Sequence, residues 1–195
     1  MTPLGKVAGA KRTWLAGVVA YSLAGALASS VVGAALGASG GLALPPDAGR
    51  LVASAAVLAG MTTVAWDLGW IRWRLLEPRR QTRDVWNGRY GRLLGAALWG
   101  FDLGLVVTTR FTFAGAWVLV SSAVLVGDAR LGGALFLSYW SGRAASVWIG
   151  PLLLDDAGQT PKLLDEINDR QRSFRSINFL GVGLLTISLL LFIKL

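Results

Sequence analysis

Residues 93–126 read LLGAALWGFDLGLVVTTRFTFAGAWVLVSSAVLV, an apolar run of 34 residues. At 1.5 Å per residue an unbroken helix over this run would be about 50 Å long, whereas a membrane hydrocarbon core is about 30 Å thick. We therefore predict an interruption at residues 107–113, where β-branched residues, aromatic residues and Arg110 replace Gly, Ala and Leu. Broken backbone at membrane depth must be satisfied by protein or by a water-filled cavity, so Thr108, Thr109 and Arg110 form the first candidate site.

Four further apolar runs have lengths typical of membrane-spanning helices. Of the 195 residues 54% are hydrophobic and 15% are charged, and the mean hydropathy is +0.55, which excludes an ordinary water-soluble domain. The predicted fold is an all-α polytopic transmembrane helix bundle forming one domain over residues 1–195. A complete hairpin in the third run would give six spans, but each arm would have only about 16 residues. We predict five spans, at about residues 14–38, 51–70, 93–126 (interrupted), 131–154 and 177–193.

Positive charge is concentrated between apolar runs and at the N-terminus, in a chain whose formal charge is +8. The segment 71–92 carries seven arginines, and the segment 155–176 is also strongly polar. Because Lys and Arg are enriched in cytoplasmic loops, both segments and the N-terminus are predicted to be cytoplasmic, with a bacterial inner membrane as the expected location. We interpret the arginines as topology signals, so no nucleic-acid partner is expected.

The chain contains no cysteine and no histidine. This excludes disulfides, thiolate metal sites and dithiol exchange, and it removes the usual ligands of zinc, copper and haem. No metal or other cofactor is therefore expected. The predicted spans hold one acid and no nucleophile–base pair, so we predict no enzymatic activity and assign no catalytic residue.

Three ionisable residues, Asp102, Arg110 and Arg143, fall within predicted spans. A central Arg or Asp costs about 2.5–3.5 kcal/mol even on mild insertion scales, so such residues normally face the bundle interior and pair. One carboxylate cannot neutralise two guanidiniums. Either Asp102 pairs with one arginine while the other reaches an interface, or the surplus charge is met by an anion, a lipid headgroup, a partner's carboxylate or helix carbonyls at the break. With Thr108 and Thr109, these residues form the candidate buried polar site.

Small residues recur every four positions along the first predicted span, at Gly25, Ser29, Gly33 and Gly37. A stripe of this kind lets another helix backbone approach closely. We predict a helix-packing face, and a groove facing a substrate is the alternative interpretation.

Three stretches resemble helices of the CcdA/DsbD-type membrane thiol-disulfide carriers. AYSLAGALASSVVGAALGASGG (residues 20–41) and the arginine-rich loop that follows the next span resemble the region of their second and third helices. Residues 92–153 resemble the long interrupted fourth helix with the fifth, and residues 177–195 resemble the last helix. The resemblance implies a scaffold of broken helices. That family's Pro-Cys pairs are missing, because the corresponding place reads VVTTRFT (residues 106–112) and no first helix is visible, so no catalytic residue carries over.

The favoured function is a non-catalytic membrane subunit that assembles or anchors a larger membrane protein complex. The expected partners are membrane lipids and other membrane protein subunits, with a second copy of the chain as a further candidate. The competing hypothesis is a small transporter for an anion or other solute, since broken helices near the midplane bind solutes through freed backbone groups and half-helix ends.

Overall fold

The computed structural model describes residues 11–45, 54–55, 58–62, 65, 70, 85–106, 115–149 and 165. Their regular structure is entirely α-helical, and no strand occurs in these ranges, so the predicted all-α class is confirmed for this part of the chain. Residues 58–62 are helical as well. The four helices with defined bounds are α1 (Lys11–Ala43), α2 (Val85–Gly104), α3 (Gly115–Val126) and α4 (Ala129–Ile149).

Helix α1 is the one helix in the described ranges that is long and apolar enough to cross a membrane. Its segment Arg12–Ala43 has 32 residues and contains a window of mean hydropathy 1.8. A core helix of a soluble protein or a signal sequence can match this length and composition, so the surroundings of α1 decide how it is interpreted. Helix α4 has 21 residues, but Arg130, Arg143 and several serines make it less apolar. The predicted span 177–193 lies outside the described residues.

Helix α1 extends beyond both ends of the predicted span 14–38. The predicted end at about residue 38, before Gly40 and Gly41, is wrong, because the helix continues through both glycines to Ala43. A Cβ at Gly40 would overlap the carbonyl oxygen of Val124, and one at Gly41 would overlap that of Gly127. These glycines therefore make room for a neighbouring backbone and do not terminate the helix.

The helix that begins the long third run ends at Gly104. Leu105 and Val106 are not helical, and Val106 has a φ of 53°, which is unfavourable for a β-branched residue. Helical structure resumes at Gly115. The run is therefore not one continuous rod, and its first helix stops before the predicted break at residues 107–113, which lie outside the described residues.

Helix α2 begins inside the segment 71–92, which we had predicted to be a loop. Its first residues, Val85 to Tyr90, are joined to the rest by Gly91, which has φ 76° and ψ 173° and kinks the helix. That conformation is readily adopted only by glycine. A Cβ at Gly91 would meet no atom within 4 Å, so the glycine is needed for its backbone conformation and not for packing.

The chain divides into two compact units. Helices α1 and α4 each contribute residues to both units. Among the described residues, unit 1 contains 11–29, 85–106, 137–149 and 165, and unit 2 contains 30–45, 54–70 with its gaps, and 115–136.

In unit 1, helix α4 runs antiparallel to α1. The rings of Trp14 and Trp148 meet edge to face with their centroids 6.4 Å apart. Further along α1, Gly25 lies against the indole of Trp140. Residue numbers increase along α1 while they decrease along α4, which fixes the relative direction of the two helices.

Helix α2, in contrast, runs parallel to α1 within the same unit. A Cβ at Gly100 would overlap the backbone carbonyl of Tyr21, and one at Gly104 would overlap that of Gly25. The numbers rise together along both helices. Gly100 and Gly104 form a Gly-x-x-x-Gly pair, the spacing that allows two helix backbones to approach closely.

Candidate functional site

The predicted small residues of α1 are buried in both units. In unit 1, a Cβ at Gly25 would overlap the ring of Trp140, and Ser29 is 0% exposed. In unit 2, a Cβ at Gly33 would lie 2.7 Å from the Cβ of Phe136. A Cβ at Gly37 would overlap a backbone carbonyl of the loop before α4. The stripe thus lies where α1 contacts other helices.

Tyr21 and Trp140 form the aromatic centre of unit 1. Trp140 is 1% exposed, and its ring lies 5.1 Å from that of Tyr21. Trp99 packs edge to face on the other side of Tyr21 at 6.2 Å. Tryptophan is common at membrane interfaces, and we predicted no buried aromatic cluster. The signal for it was the position of Trp140 near the middle of its apolar run.

Two tryptophan N–H groups converge on Ser22 of α1. The indole Nε1–H of Trp140 donates to the backbone carbonyl of Ser22 at 2.9 Å, and that of Trp148 donates to Ser22 Oγ at 3.0 Å. The first of these bonds supplies a buried indole with the acceptor it needs. Ser22 therefore connects α1 to α4 at two levels.

The candidate buried polar residues are only partly covered by the described ranges. Asp102 is 3% exposed and lies on α2, two residues before the helix ends at Gly104. Arg143 is half-buried on α4 and lies close enough to Tyr21 for an electrostatic interaction. Both belong to unit 1. Thr108, Thr109 and Arg110 lie outside the described residues, so their part in the site stays a prediction.

Several hydroxyl groups on the helices are engaged with their own backbone. Ser121, Ser141 and Ser146 donate to carbonyl oxygens three or four residues earlier, at 2.7–3.1 Å. Such bonds satisfy a hydroxyl within its helix and direct it away from other side chains. Within the described ranges there is also no group of three or more His, Cys, Asp or Glu side chains suited to a metal ion.

A groove of about 470 Å³ lies between α1 and α4 in unit 1. Its lining is almost entirely apolar or small, and its polar groups are the hydroxyls of Ser22 and Ser141 and the two indole nitrogens. The hydroxyl of Ser141 and both indole N–H groups already donate within the unit. The groove can therefore accept an apolar occupant. Its lining includes Leu23, Ala26, Trp140, Ala145, Trp148 and Ile149.

The outward face of α1 carries a second stripe, made of large aliphatic residues four positions apart. Leu15, Val19, Leu23, Leu27 and Val31 are 47%, 37%, 66%, 65% and 59% exposed. The two stripes differ by two positions in sequence, about 200° around a helix, so they occupy nearly opposite faces. The small-residue stripe of α1 is therefore inside and this aliphatic stripe is outside, while Val18 and Tyr21 are buried as well.

The described residues therefore offer close helix packing, a half-buried arginine, a buried aspartate near a helix end and an apolar groove. None of these features forms a nucleophile–base pair in the described ranges. Function must be argued from these contacts, because comparison with protein-family models, curated proteins and solved structures found no match.

Proposed function

We propose that the chain is a non-catalytic integral membrane subunit, an assembly or anchoring component of a larger membrane protein complex. The observation that carries this proposal is the sidedness of α1. A helix of a soluble protein turns its large apolar side chains toward the core. In α1 the small-residue stripe faces inward, the aliphatic stripe from Leu15 to Val31 faces outward, and only 33% of the most apolar window is buried. Lipid favours this arrangement, because helices in a membrane associate through small residues and expose apolar side chains.

The parallel direction of α1 and α2 supports several membrane crossings. Two neighbouring parallel helices need a connection that returns the chain to the starting side. The connecting segment contains helical residues 58–62 and the apolar run 51–70 predicted as a span. A returning span between α1 and α2 agrees with a cytoplasmic N-terminus and a cytoplasmic arginine-rich segment.

A role in assembly is supported by the surface and by Arg143. Exposed large apolar residues also occur on α2 and α4, including Leu93, Phe101, Leu135 and Leu137. Arg143 lies well inside α4, where an arginine at membrane depth favours a negatively charged partner. A carboxylate on another membrane protein would meet that need. On this proposal the CcdA-like resemblance would describe the scaffold alone.

Substitution of Arg143 tests the proposal. The tagged chain is purified in mild detergent, its particle mass is measured by native electrophoresis, and associated chains are identified by mass spectrometry. We expect Arg143→Ala to release the partner chains, because the buried carboxylate opposite would lose its counter-charge. Arg130→Ala, at an exposed position on the same helix, is the matched control and should retain them. A wild-type particle that contains only this 20.6 kDa chain would contradict the proposal.

A second candidate function is a small transporter for an anion or other solute, and the helix end near Asp102 favours it. Asp102 is buried, and Val106, in a left-handed conformation, is 1% exposed at the point where the helix has stopped. Broken helices of this kind bind solutes in transporters. Under this hypothesis Arg143→Ala leaves the particle mass unchanged and abolishes uptake into proteoliposomes. A transported solute should also raise the melting temperature of the purified chain.

A further inference from the structure

A basic residue, Arg12, precedes the groove of unit 1 on the same face of α1. Arg12, Leu15, Val19, Ser22 and Ala26 follow one another at spacings of three and four residues, so they lie along one face of α1. The last two line the groove. Arg12 is exposed, and it precedes the groove at the end farthest from Ala26.

The register of α1 and α4 shows which end of the groove Arg12 approaches. Trp14 packs against Trp148, which lines the groove, and the opposite end is formed by Ala26 and Trp140. Arg12 therefore lies beyond the Trp148 end of the groove, two residues before Trp14 and ten residues, about 15 Å of helix, before Ser22. Along α1 the order is a cation, then an interfacial aromatic residue, then exposed aliphatic side chains, which matches the depth profile of a membrane from headgroup to hydrocarbon.

The two helices that form the groove carry no acidic residue in the described part of unit 1, whose described acidic residues are Asp102 on α2 and Asp165. No Asp or Glu occurs in the described parts of α1 or in residues 137–149 of α4. Arg89 and Arg92, near the start of α2, are exposed and belong to the same unit. The register that sets Tyr21 beside Gly100 also brings Arg12 level with Gly91 and Arg92, so the Arg92 guanidinium adds positive charge at this end of the unit.

We propose that this groove binds one acyl chain of an anionic phospholipid whose phosphate lies at Arg12. Arginine binds phosphate through charge-assisted hydrogen bonds, and the groove walls replace the lipid neighbours of the acyl chain. Charge complementarity selects this occupant over a partner helix, which would need an acidic residue at its end to satisfy Arg12. The inference rests on the membrane residence proposed above.

Lipid retention by the full-length chain tests the site. The chain is exchanged into mixed micelles with dioleoylphosphatidylglycerol or dioleoylphosphatidylcholine, which differ only in the headgroup, and bound lipid is counted by native mass spectrometry. We expect phosphatidylglycerol to be retained about fivefold more strongly, the effect of roughly one arginine at a membrane surface. Glycerol phosphate without acyl chains should not compete. Competition by glycerol phosphate would identify a free-phosphate site and overturn the proposal.

Charge substitutions separate a defined site from a general positive field. Arg12→Gln should remove the preference for phosphatidylglycerol. Arg89→Gln removes the same charge from α2, which lines no part of the groove and whose Arg89 guanidinium lies over the Tyr90 ring at 5.9 Å. This control should keep most of the preference. Equal losses in the two variants would show a diffuse field and overturn the assignment to Arg12.

A bulky substitution tests the groove itself. Ala145→Phe should reduce retention of both lipids by filling the groove, whereas Ala134→Phe, at an exposed position of α4 in unit 2, should not. Ser141→Leu on the exposed rim provides the same test if Ala145→Phe does not fold.

Unchanged lipid retention together with loss of a protein partner would assign the groove to a partner helix instead. A chain that stays monodisperse without detergent would contradict membrane residence, whereas a detergent-dependent chain without lipid preference would contradict this inference alone.

Discussion

Helices α1 and α4 pack against each other in two different ways in the two units. In unit 1 the contact is made by a large side chain on a glycine, with Trp140 lying over Gly25 and donating a hydrogen bond to Ser22. In unit 2 the contact is made between backbones, with Gly33 against the carbonyl of Gly132. The same small-residue stripe therefore serves two purposes: it holds an aromatic ring in one unit and allows close backbone approach in the other.

This difference predicts different responses to substitution. A ring held on a glycine contributes buried area and a hydrogen bond, so its removal leaves a cavity and an acceptor without its donor. A backbone contact has no side chain to remove, so it is damaged by adding atoms. The three predictions below separate the two kinds of contact, from the largest expected effect to the smallest.

The largest effect is expected for Trp140→Ala in unit 1. Trp140 is among the largest fully buried side chains, and its loss opens a cavity beside Tyr21 and Gly25. We expect the free energy of unfolding to fall by about 3–5 kcal/mol. Thermal unfolding in detergent, followed by circular dichroism, measures the change. Trp70→Ala is the control, because Trp70 is 78% exposed and its loss should have little effect.

Comparable stability of those two tryptophan variants would contradict the assignment of Trp140 to the core of unit 1. It would also remove the distinction between a ring-on-glycine contact and a backbone contact.

A smaller loss is expected for Gly33→Ala in unit 2. The added methyl group would overlap the carbonyl of Gly132, so the two helices must separate, at a cost of about 1–3 kcal/mol. Gly142→Ala is the matched control on α4, since Gly142 is exposed and a Cβ there meets nothing within 4 Å. That control should be neutral or stabilising by up to about 1 kcal/mol, because alanine favours helix. Equal destabilisation by both variants would mean that Gly33 makes no close backbone contact.

The parts of this arrangement that could be predicted from the sequence are local ones. The four-residue spacing from Gly25 to Gly37 indicates a packing face, because helical periodicity depends only on the chain itself. The length of the third run predicts a break, because a long apolar helix exceeds the membrane thickness. The structure ends the first part of that run at Gly104.

The parts that could not be predicted depend on what lies opposite a residue. Gly40 and Gly41 have the sequence signature of a helix end, but they face backbone atoms of Val124 and Gly127, and the helix continues. A glycine's role as a terminator or as a contact is decided by its neighbour in space. The burial of Trp140 could not be predicted for the same reason, since an aromatic residue in an apolar run can face either lipid or a protein core.

The smallest effect is expected for Trp148→Phe, which tests how much of unit 1 depends on its hydrogen bonds. Trp148 is 37% exposed and donates to Ser22 Oγ at 3.0 Å. Phenylalanine keeps much of the ring packing against Trp14 but cannot donate, so we expect a loss of about 0.5–1.5 kcal/mol. Ser22→Ala should cost a similar amount, and the double variant little more than either, because the two changes remove one shared bond. Additive losses would show that the Trp148–Ser22 bond contributes nothing, and that unit 1 is held by ring packing and by the Trp140 bond to the Ser22 backbone.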